Sequence, residues 1–263
     1  MSAPARISEA LETLRPITLE EMDAIKLMNR TDTKYLTRES TLLRILERAA
    51  AAGYRVLVTE GERNSPYDSI YFDTPALRMF QDHHNRRLVR QKVRTRCYLN
   101  SGATFLEIKR KNNKGRTRKK RTSIPPEEFQ DFRSDQQADA YLAAHSWFQA
   151  DEITPVLETA FSRITLVNPE KTERLTIDRA LRFRNFRTGR QTTLQDAVII
   201  ELKQDSRAES AMKKILLDLR VKPARISKYC IAVTLTDPGA RSGRFKVKVR
   251  AIEKTIGNKL IIT

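Results

Sequence analysis

The chain has 263 residues, 40% of them hydrophobic, and 50 Lys+Arg against 32 Asp+Glu leave a formal net charge of +18. That length and apolar content suffice for one large β-rich domain or two small ones, and the charge concentrates polyanions of any kind: nucleic acid, nucleotides, acidic membrane or polyphosphate. A transmembrane helix is excluded, because no stretch approaches roughly 18 uninterrupted apolar residues, and two cysteines without CxxC spacing, Cys97 and Cys230, give no disulfide framework or zinc ribbon.

Met1 to Arg15 carries no apolar run of signal-peptide length, so a soluble protein of a reducing, cytoplasmic compartment is expected. Thr18-Leu19-Glu20-Glu21 reads as a capping box opening a short helix, and Asn29 to Thr37 as an extended segment. Ser40 is the expected cap of a helix over Leu42 to Ala52 that stops at Gly53. Tyr54 to Glu60 and Asp68 to Asp73 read as strands around a polar turn, followed by a short helix from Pro75 to Asp82.

Three strongly basic strands come next. Leu88 to Leu99 alternates, with Arg90, Lys92, Arg94 and Arg96 on one face and Val89, Val93, Cys97 and Leu99 on the other. Phe105 to Lys111 sets Glu107, Lys109 and Lys111 against Leu106 and Ile108, and Lys114 to Thr122 puts Lys114, Arg116, Arg118 and Lys120 in one register. Like charges facing each other across strands cost up to about 1 kcal/mol per pair, so such a face needs interleaved carboxylates or a bound anion. Glu107 and Glu201 are the interleaved carboxylates, and a polyanion is the expected remainder.

Pro125-Pro126 ends the basic run, and Glu127 to Trp147 has helical patterning that caps the sheet on one side. Val156 to Val167, Arg174 to Phe183 and Ala197 to Gln204 read as strands, Ser206 to Leu219 as a solvated amphipathic helix and Ser227 to Leu235 as another helix. Lys246 to Lys254 reads as a basic surface strand or partner-binding segment. The pattern is α+β, an antiparallel β-rich fold with peripheral helices. There is no GxxxxGK[ST] run and there are only eight glycines, so side chains rather than backbone amides must bind phosphate.

The runs Arg30-Thr31-Asp32-Thr33-Lys34-Tyr35, Tyr71-Phe72-Asp73-Thr74, Lys92-Val93-Arg94-Thr95-Arg96, Phe105-Leu106-Glu107-Ile108-Lys109, Arg174-Leu175-Thr176-Ile177-Asp178, Ile200-Glu201-Leu202-Lys203 and Ser227-Lys228-Tyr229 carry a resemblance. In this order, from about Lys26 to about Leu235, the chain resembles the polyphosphate polymerase domain of the vacuolar transporter chaperone family, one of the triphosphate tunnel metalloenzymes. The resemblance implies an antiparallel β-barrel around a basic lumen that holds polyphosphate and a divalent metal, Mn²⁺ or Mg²⁺. It also implies that Lys34, Arg94, Arg96 and Lys109 bind phosphates. Arg163 matches a further phosphate-binding arginine, although Phe161 stands where a tyrosine is common. Arg174, Ser227 and Lys228 match later tunnel positions, and Lys119 or Lys120 supplies the lysine after the EIK strand. Arg90 joins them on its strand face, and Glu201 matches the metal-holding carboxylate.

On this reading the chain divides into an N-terminal helical segment (1–25), a tunnel domain (26–240) and a basic C-terminal tail (241–263). The implied reaction transfers the γ-phosphate of ATP to inorganic polyphosphate with release of ADP, with no sequence-specific nucleic acid involved. The basic stretch from Arg244 to Lys259 is suited to a membrane-protein partner or an anionic lipid surface. Tyr71 and Phe72 read as packing residues, and Asp178 as either a second metal ligand or a structural ion pair. Two rivals remain. A triphosphate hydrolase of the same barrel would normally carry an ExExK strand, whereas Arg30-Thr31-Asp32-Thr33-Lys34 keeps only the lysine. A non-catalytic RNA or polyphosphate binder would use the charge, but the basic strands hold few aromatics on which bases could stack.

Overall fold

Strands whose alternate residues are apolar bury one face and leave the other for different chemistry. In the computed structural model, which describes residues 3–25 and 30–260, that alternation builds an antiparallel sheet with helices on its outer face. The first elements are α1 (Ala3–Glu12), β1 (Arg15–Ile17), α2 (Leu19–Asp23), β2 (Arg30–Arg38), α3 (Glu39–Ala51), β3 (Arg55–Leu57), β4 (Ser65–Asp73) and α4 (Arg78–His84). The basic strands follow as β5 (Arg90–Tyr98), β6 (Thr104–Lys111) and β7 (Thr117–Ser123), then two 3-10 turns and α5 (Gln136–His145). The remainder is β8 (Thr154–Val167), β9 (Glu173–Asn185), β10 (Gln191–Leu194), β11 (Ala197–Asp205), α6 (Ala211–Asp218), α7 (Lys228–Thr236) and α8 (Gly243–Ile256). Lys26 and Asn29, where the tunnel domain and its first strand were expected to open, lie outside the described residues.

The main sheet runs β2-β11-β9-β8-β4-β5-β6-β7, with β10 beside β9, β3 beside β8 and β1 parallel to β3. All pairings along the main path are antiparallel. It curls into a half-barrel with β2 and β7 as its edges, and Lys34 of β2 and Lys109 of β6 line one cavity. Register shifts at Tyr71/Phe72 and at Ala160/Ser162, the latter opposite Ala180 at φ 52°, mark β-bulges, which bend a strand and increase its twist.

Two apolar cores cover the convex face. Tyr35, Ile164, Leu166, Leu175, Ile177, Val198, Ile200 and Leu202 pack under α1, α3 and α6. Ile70, Phe72, Val93, Leu106 and Ile108 pack against Phe132 and Leu142 from the segment after Pro125. A fully buried Leu or Ile side chain contributes about 1.5–3 kcal/mol relative to exposure, so these alternating positions determine which face turns inward. On the concave side α7 enters the curl, with Tyr229, Cys230, Ile231, Ala232 and Val233 all buried, as expected of a helix that is apolar all round.

Several expectations need correction. α3 begins at Glu39 with Arg38 as its cap position, and Ser40 lies inside the first turn. The cap is tertiary: the Glu39 amide donates to Asp196 Oδ1 at 3.0 Å, across the turn between β10 and β11. The expected basic surface strand forms α8, whose Phe245, Ile252 and Ile256 are buried in the same core as α7. β10 was not anticipated, and the patterning from 127 to 147 resolves into 3-10 turns before α5. No helix among the described residues is long and apolar enough to cross a membrane, and both cysteines are free.

Asp73 of the Tyr71-Phe72-Asp73-Thr74 run ties α4 and α7 to the sheet. Its fully buried carboxylate accepts from the amides of Thr74, Met79 and Phe80 at 2.8–2.9 Å and from the Tyr229 hydroxyl. Truncation would strand several buried donors, each costing about 1–3 kcal/mol. Asp73→Ala is expected to lower stability by about 3 kcal/mol or more in urea denaturation. A loss below about 1 kcal/mol would show that the carboxylate is not the anchor.

Candidate functional site

Residues paired across neighbouring strands share a face, so register decides which charges meet. On one wall of the lumen Lys92, Lys109 and Lys119 form a row across β5, β6 and β7, and Arg94, Glu107 and Arg121 form the next. On the other wall Lys34, Glu201 and Thr176 align across β2, β11 and β9, beside a row of Asp32, Lys203 and Arg174. A third row brings Ile199, Asp178 and Arg163 together across β11, β9 and β8.

Two carboxylates hold the inner arginines. Arg94 donates from Nε and Nη2 to Glu107 Oε2 at 2.8 and 2.6 Å, and Lys119 ion-pairs with the other carboxylate oxygen. Arg163 grips Asp178 through Nε–Oδ1 at 2.6 Å and Nη2–Oδ2 at 2.9 Å, and Lys228 at the start of α7 ion-pairs with the same carboxylate. Of the two readings of Asp178, this geometry supports the structural ion pair. Both carboxyls are driven far below the usual range, because Arg94, Arg96 and Lys119 around Glu107, and Arg163 and Lys228 around Asp178, outweigh the burial that opposes ionisation.

The other lumen cations keep donors unspent. Arg96, 5% exposed, donates from Nε to Ser69 Oγ at 3.1 Å, and its guanidinium lies 5.5 and 5.8 Å from the Tyr67 and Phe161 ring centroids. Among the described residues its remaining N–H groups have no acceptor. Arg174 Nε is buried without a partner, and neither Lys109 nor Lys203 has a hydrogen bond or ion pair among these residues. Lys92 donates to Ser227 Oγ at 2.8 Å, and Lys34 reaches the Ile226 carbonyl at 3.4 Å. Enclosure and then the neighbouring Lys34 push the Lys109 ammonium below its ordinary range, although water reaches it, as an open lumen allows. Such a set of crowded, mutually repelling cations has the chemistry to attract an anion.

Glu201 stands apart among the lumen carboxylates. Burial opposes its ionisation, but Lys34, Lys203, Lys109 and Arg163 hold its carboxyl down at about 2, and it makes no ion pair within 4 Å among the described residues. No group of three His, Cys, Asp or Glu gathers there among the described residues. An ionised carboxylate without an ion pair, such as Glu201, fits Mg²⁺, which binds through one or two carboxylates plus substrate phosphates and keeps several waters.

Lys34, Arg94, Arg96, Lys109, Lys119, Arg163, Arg174, Glu201, Ser227 and Lys228 therefore lie around one lumen, with Arg90 at its mouth. Lys120 does not join them. It pairs with Ile108, whose side chain is in the outer core, so Lys120 and Arg118 face outward and Lys119 takes the inward position. Lys203 and Tyr71 were missed as site residues, although Lys203 follows Glu201 by two on one strand face, a legible signal. Tyr71, expected as packing, accepts from Arg94 Nη1 at 3.0 Å and stacks on Tyr229 with centroids 5.0 Å apart.

Burial resists ionisation of the Tyr71 phenol, yet Arg94, Lys92, Arg96 and Lys228 bring it down to about 7. An ultraviolet difference titration is therefore expected to show one tyrosine ionising near neutrality, absent in Tyr71→Phe and displaced upward when tripolyphosphate adds negative charge. If no tyrosine ionises below the ordinary range of about 10, the cation field at Tyr71 is weaker than this geometry implies.

Comparison with known proteins follows the same outline. No curated protein sequence matches the chain. The putative adenylyl cyclase HpAC1 from Hippeastrum, described as having a dominant triphosphatase activity, aligns at 14% identity over 78% of this chain and 94% of its own, with a TM-score of 0.51. Putative adenylate cyclases from Vibrio parahaemolyticus and Bacillus halodurans each align at 13% identity and a TM-score of 0.45, over 77% and 76% of this chain and 96% of theirs. At 14% identity the likeness to HpAC1 concerns the fold alone. The VTC domain family matches residues 29–236. That match opens one residue before β2 and closes on the last residue of α7, taking in every strand and helix that sends a charged side chain into the inner lumen, and the chain belongs to the VTC domain family.

Proposed function

We propose that the chain extends inorganic polyphosphate, transferring the γ-phosphate of ATP to the end of a phosphate chain and releasing ADP. The observation that carries this reading is the set of lumen cations with unspent donors, Arg96, Lys109, Arg174 and Lys203, beside arginines already oriented by Glu107 and Asp178. A phosphoanhydride carries about one negative charge per phosphate and offers paired oxygens that suit a planar guanidinium. Bidentate pairing is enforced locally: Ser69 and the Tyr67 and Phe161 rings fix the plane of Arg96, and Glu107 fixes that of Arg94.

Phosphoryl transfer passes through a loose transition state, so alignment and charge neutralisation supply most of the catalysis. Lys34 and Lys109 from opposite walls neutralise the phosphates between them, while Arg94 and Arg96 hold the transferring group in line. Glu201 would hold Mn²⁺ or Mg²⁺ delivered with the nucleotide, and the ion's charge would add to that of the lysines. The attacking group is an anionic phosphate oxygen that needs no deprotonation. The one carboxylate on β2, Asp32, is ion-paired with Arg30 at 3.1 Å, which disfavours it as a general base for water.

A second reading, triphosphate hydrolysis, is favoured by Asp32 lining the cavity on the same strand face as Lys34. Incubation with ATP and Mn²⁺ followed by a polyphosphate gel separates the readings: long chains support transfer, orthophosphate alone supports hydrolysis. Glu201→Gln is expected to lower turnover by orders of magnitude while binding of preformed polyphosphate persists or tightens, and unchanged turnover would remove Glu201 from the metal role. Arg96→Ala is expected to lower kcat/KM for ATP by about a hundredfold or more, without rescue in Arg96→Lys because an ammonium cannot reproduce the guanidinium fork. Near-normal turnover of the lysine variant, with strong salt dependence in all three proteins, would place the arginine on an open surface.

A further inference from the structure

The cavity that contains Lys34, Lys109 and Glu201, about 670 Å³ in volume, continues to a mouth formed by α4, α8 and the loop before α7. Arg86, Arg90, Arg225, Arg244 and Lys248 line this mouth. Among the described residues the cavity is lined by two carboxylates, Asp32 and Glu201, both on the lumen strands. α8 lies beyond residues 29–236, which the family matches, so the wall of the mouth that carries Arg244 and Lys248 comes from a part of the chain outside that match, while Arg86, Arg90 and Arg225 lie within it.

Two of the mouth cations have structural duties: Arg90 Nη1 donates to the Arg87 carbonyl at 2.6 Å, and Arg244 Nη1 to the His84 carbonyl at 3.3 Å. Arg86, Arg225 and Lys248 have no side-chain hydrogen bond or ion pair among the described residues. They repel one another: burial, then Arg86, Arg225 and Arg90, push the Lys248 ammonium down, against an opposing pull from Cys230. His83, which lines the same cavity, is held neutral by burial and then by Lys92 and Lys109 of the lumen and Arg90 and Lys248 of the mouth. Phe80, His84 and Phe245 are buried, which leaves half-buried His83 as the aromatic ring that the described cavity lining offers a nucleobase.

We propose that this mouth is a second phosphate-binding subsite that grips the part of an inorganic polyphosphate chain extending out of the lumen. The proposal rests on the polyphosphate reading above. β5 connects the two subsites with a cation at every second residue, Arg96, Arg94, Lys92 and Arg90, spaced about 6.6 Å apart along some 20 Å of strand. A triphosphate seated against Arg94 and Arg96 ends short of the mouth, whereas a longer chain runs through it and gains further contacts.

The test compares long-chain polyphosphate with tripolyphosphate by titration calorimetry at low and moderate salt, in the unaltered protein, in Arg225→Ala/Lys248→Ala and in Arg96→Ala. The double variant is expected to bind the long chain about tenfold more weakly, with its log-salt slope reduced by about 1.4, two cations at about 0.7 each by analogy with single-stranded polyanions, and to bind tripolyphosphate unchanged. The charge-retaining Arg225→Lys/Lys248→Arg pair should restore long-chain binding. Unchanged long-chain affinity in the double variant, or equal loss for both ligands, overturns the subsite. Arg96→Ala should weaken both ligands; if it weakens neither, the lumen reading fails while the mouth result still stands or falls by itself. Should the double variant not fold, Arg225→Ala alone, at an exposed side chain without partners, must show the same selective loss, about threefold, or the proposal is wrong.

Discussion

Desolvated cations crowded on the concave face of one sheet are the constraint to which the rest of this structure answers. An unpaired buried charge costs several kcal/mol, and removing one member of a buried pair costs about 3–5 kcal/mol. Glu107 and Asp178 meet that cost for Arg94, Lys119, Arg163 and Lys228, each carboxylate serving two cations. They leave Arg96, Lys109, Arg174 and Lys203 with donors unspent, so among the described residues the lumen carries an excess of positive charge. Folding and binding are thereby opposed at these residues, a stability cost commonly found at functional sites.

The convex face makes that cost tolerable. Two cores, one under α1, α3 and α6 and one under the segment from Phe132 to Leu142, cover the apolar side of the strands that carry the cations. α7 then serves both faces of the problem. Its apolar body fills the concave side next to Phe161, Leu181 and Phe183, while Ser227 and Lys228 at its start enter the charge network through Lys92 and Asp178. Asp73 anchors this helix through Tyr229, which links a buried structural carboxylate to the position of the neighbouring Lys228.

The site was most legible where apolar residues mark the parity of a strand. In β5 and β6, Val93, Leu106 and Ile108 point outward, and Arg94, Arg96, Glu107 and Lys109 follow inward from them. β7 has no such marker: Arg118, Lys119, Lys120 and Arg121 are consecutive cations, and a one-residue slip exchanges the faces. Its register is imposed from outside, by pairing with β6 after a turn in which the Arg116 amide donates to Asn112 Oδ1 and Gly115 adopts φ +77°. That turn, rather than the charge pattern, makes Lys119 the inward lysine. The same limit applied at α3, where a polar side chain in the right place suggested a local cap and Asp196, distant in sequence, supplies it.

By itself the sequence determined the alternation of the strands, the excess of cations, the absence of a phosphate-binding loop and the order of motifs that identifies the family, because each is a property of neighbouring residues. The tertiary structure alone decided which cations are neutralised and which keep donors unspent, that Tyr71 lies in the field of Arg94 and Lys92, and that the basic C-terminal stretch is a helix lining one mouth of the cavity. Those outcomes depend on register and curl, which bring β2 opposite β6 and α8 beside α7. Coulomb energy depends on distances in space, and spacing along the chain does not contain them.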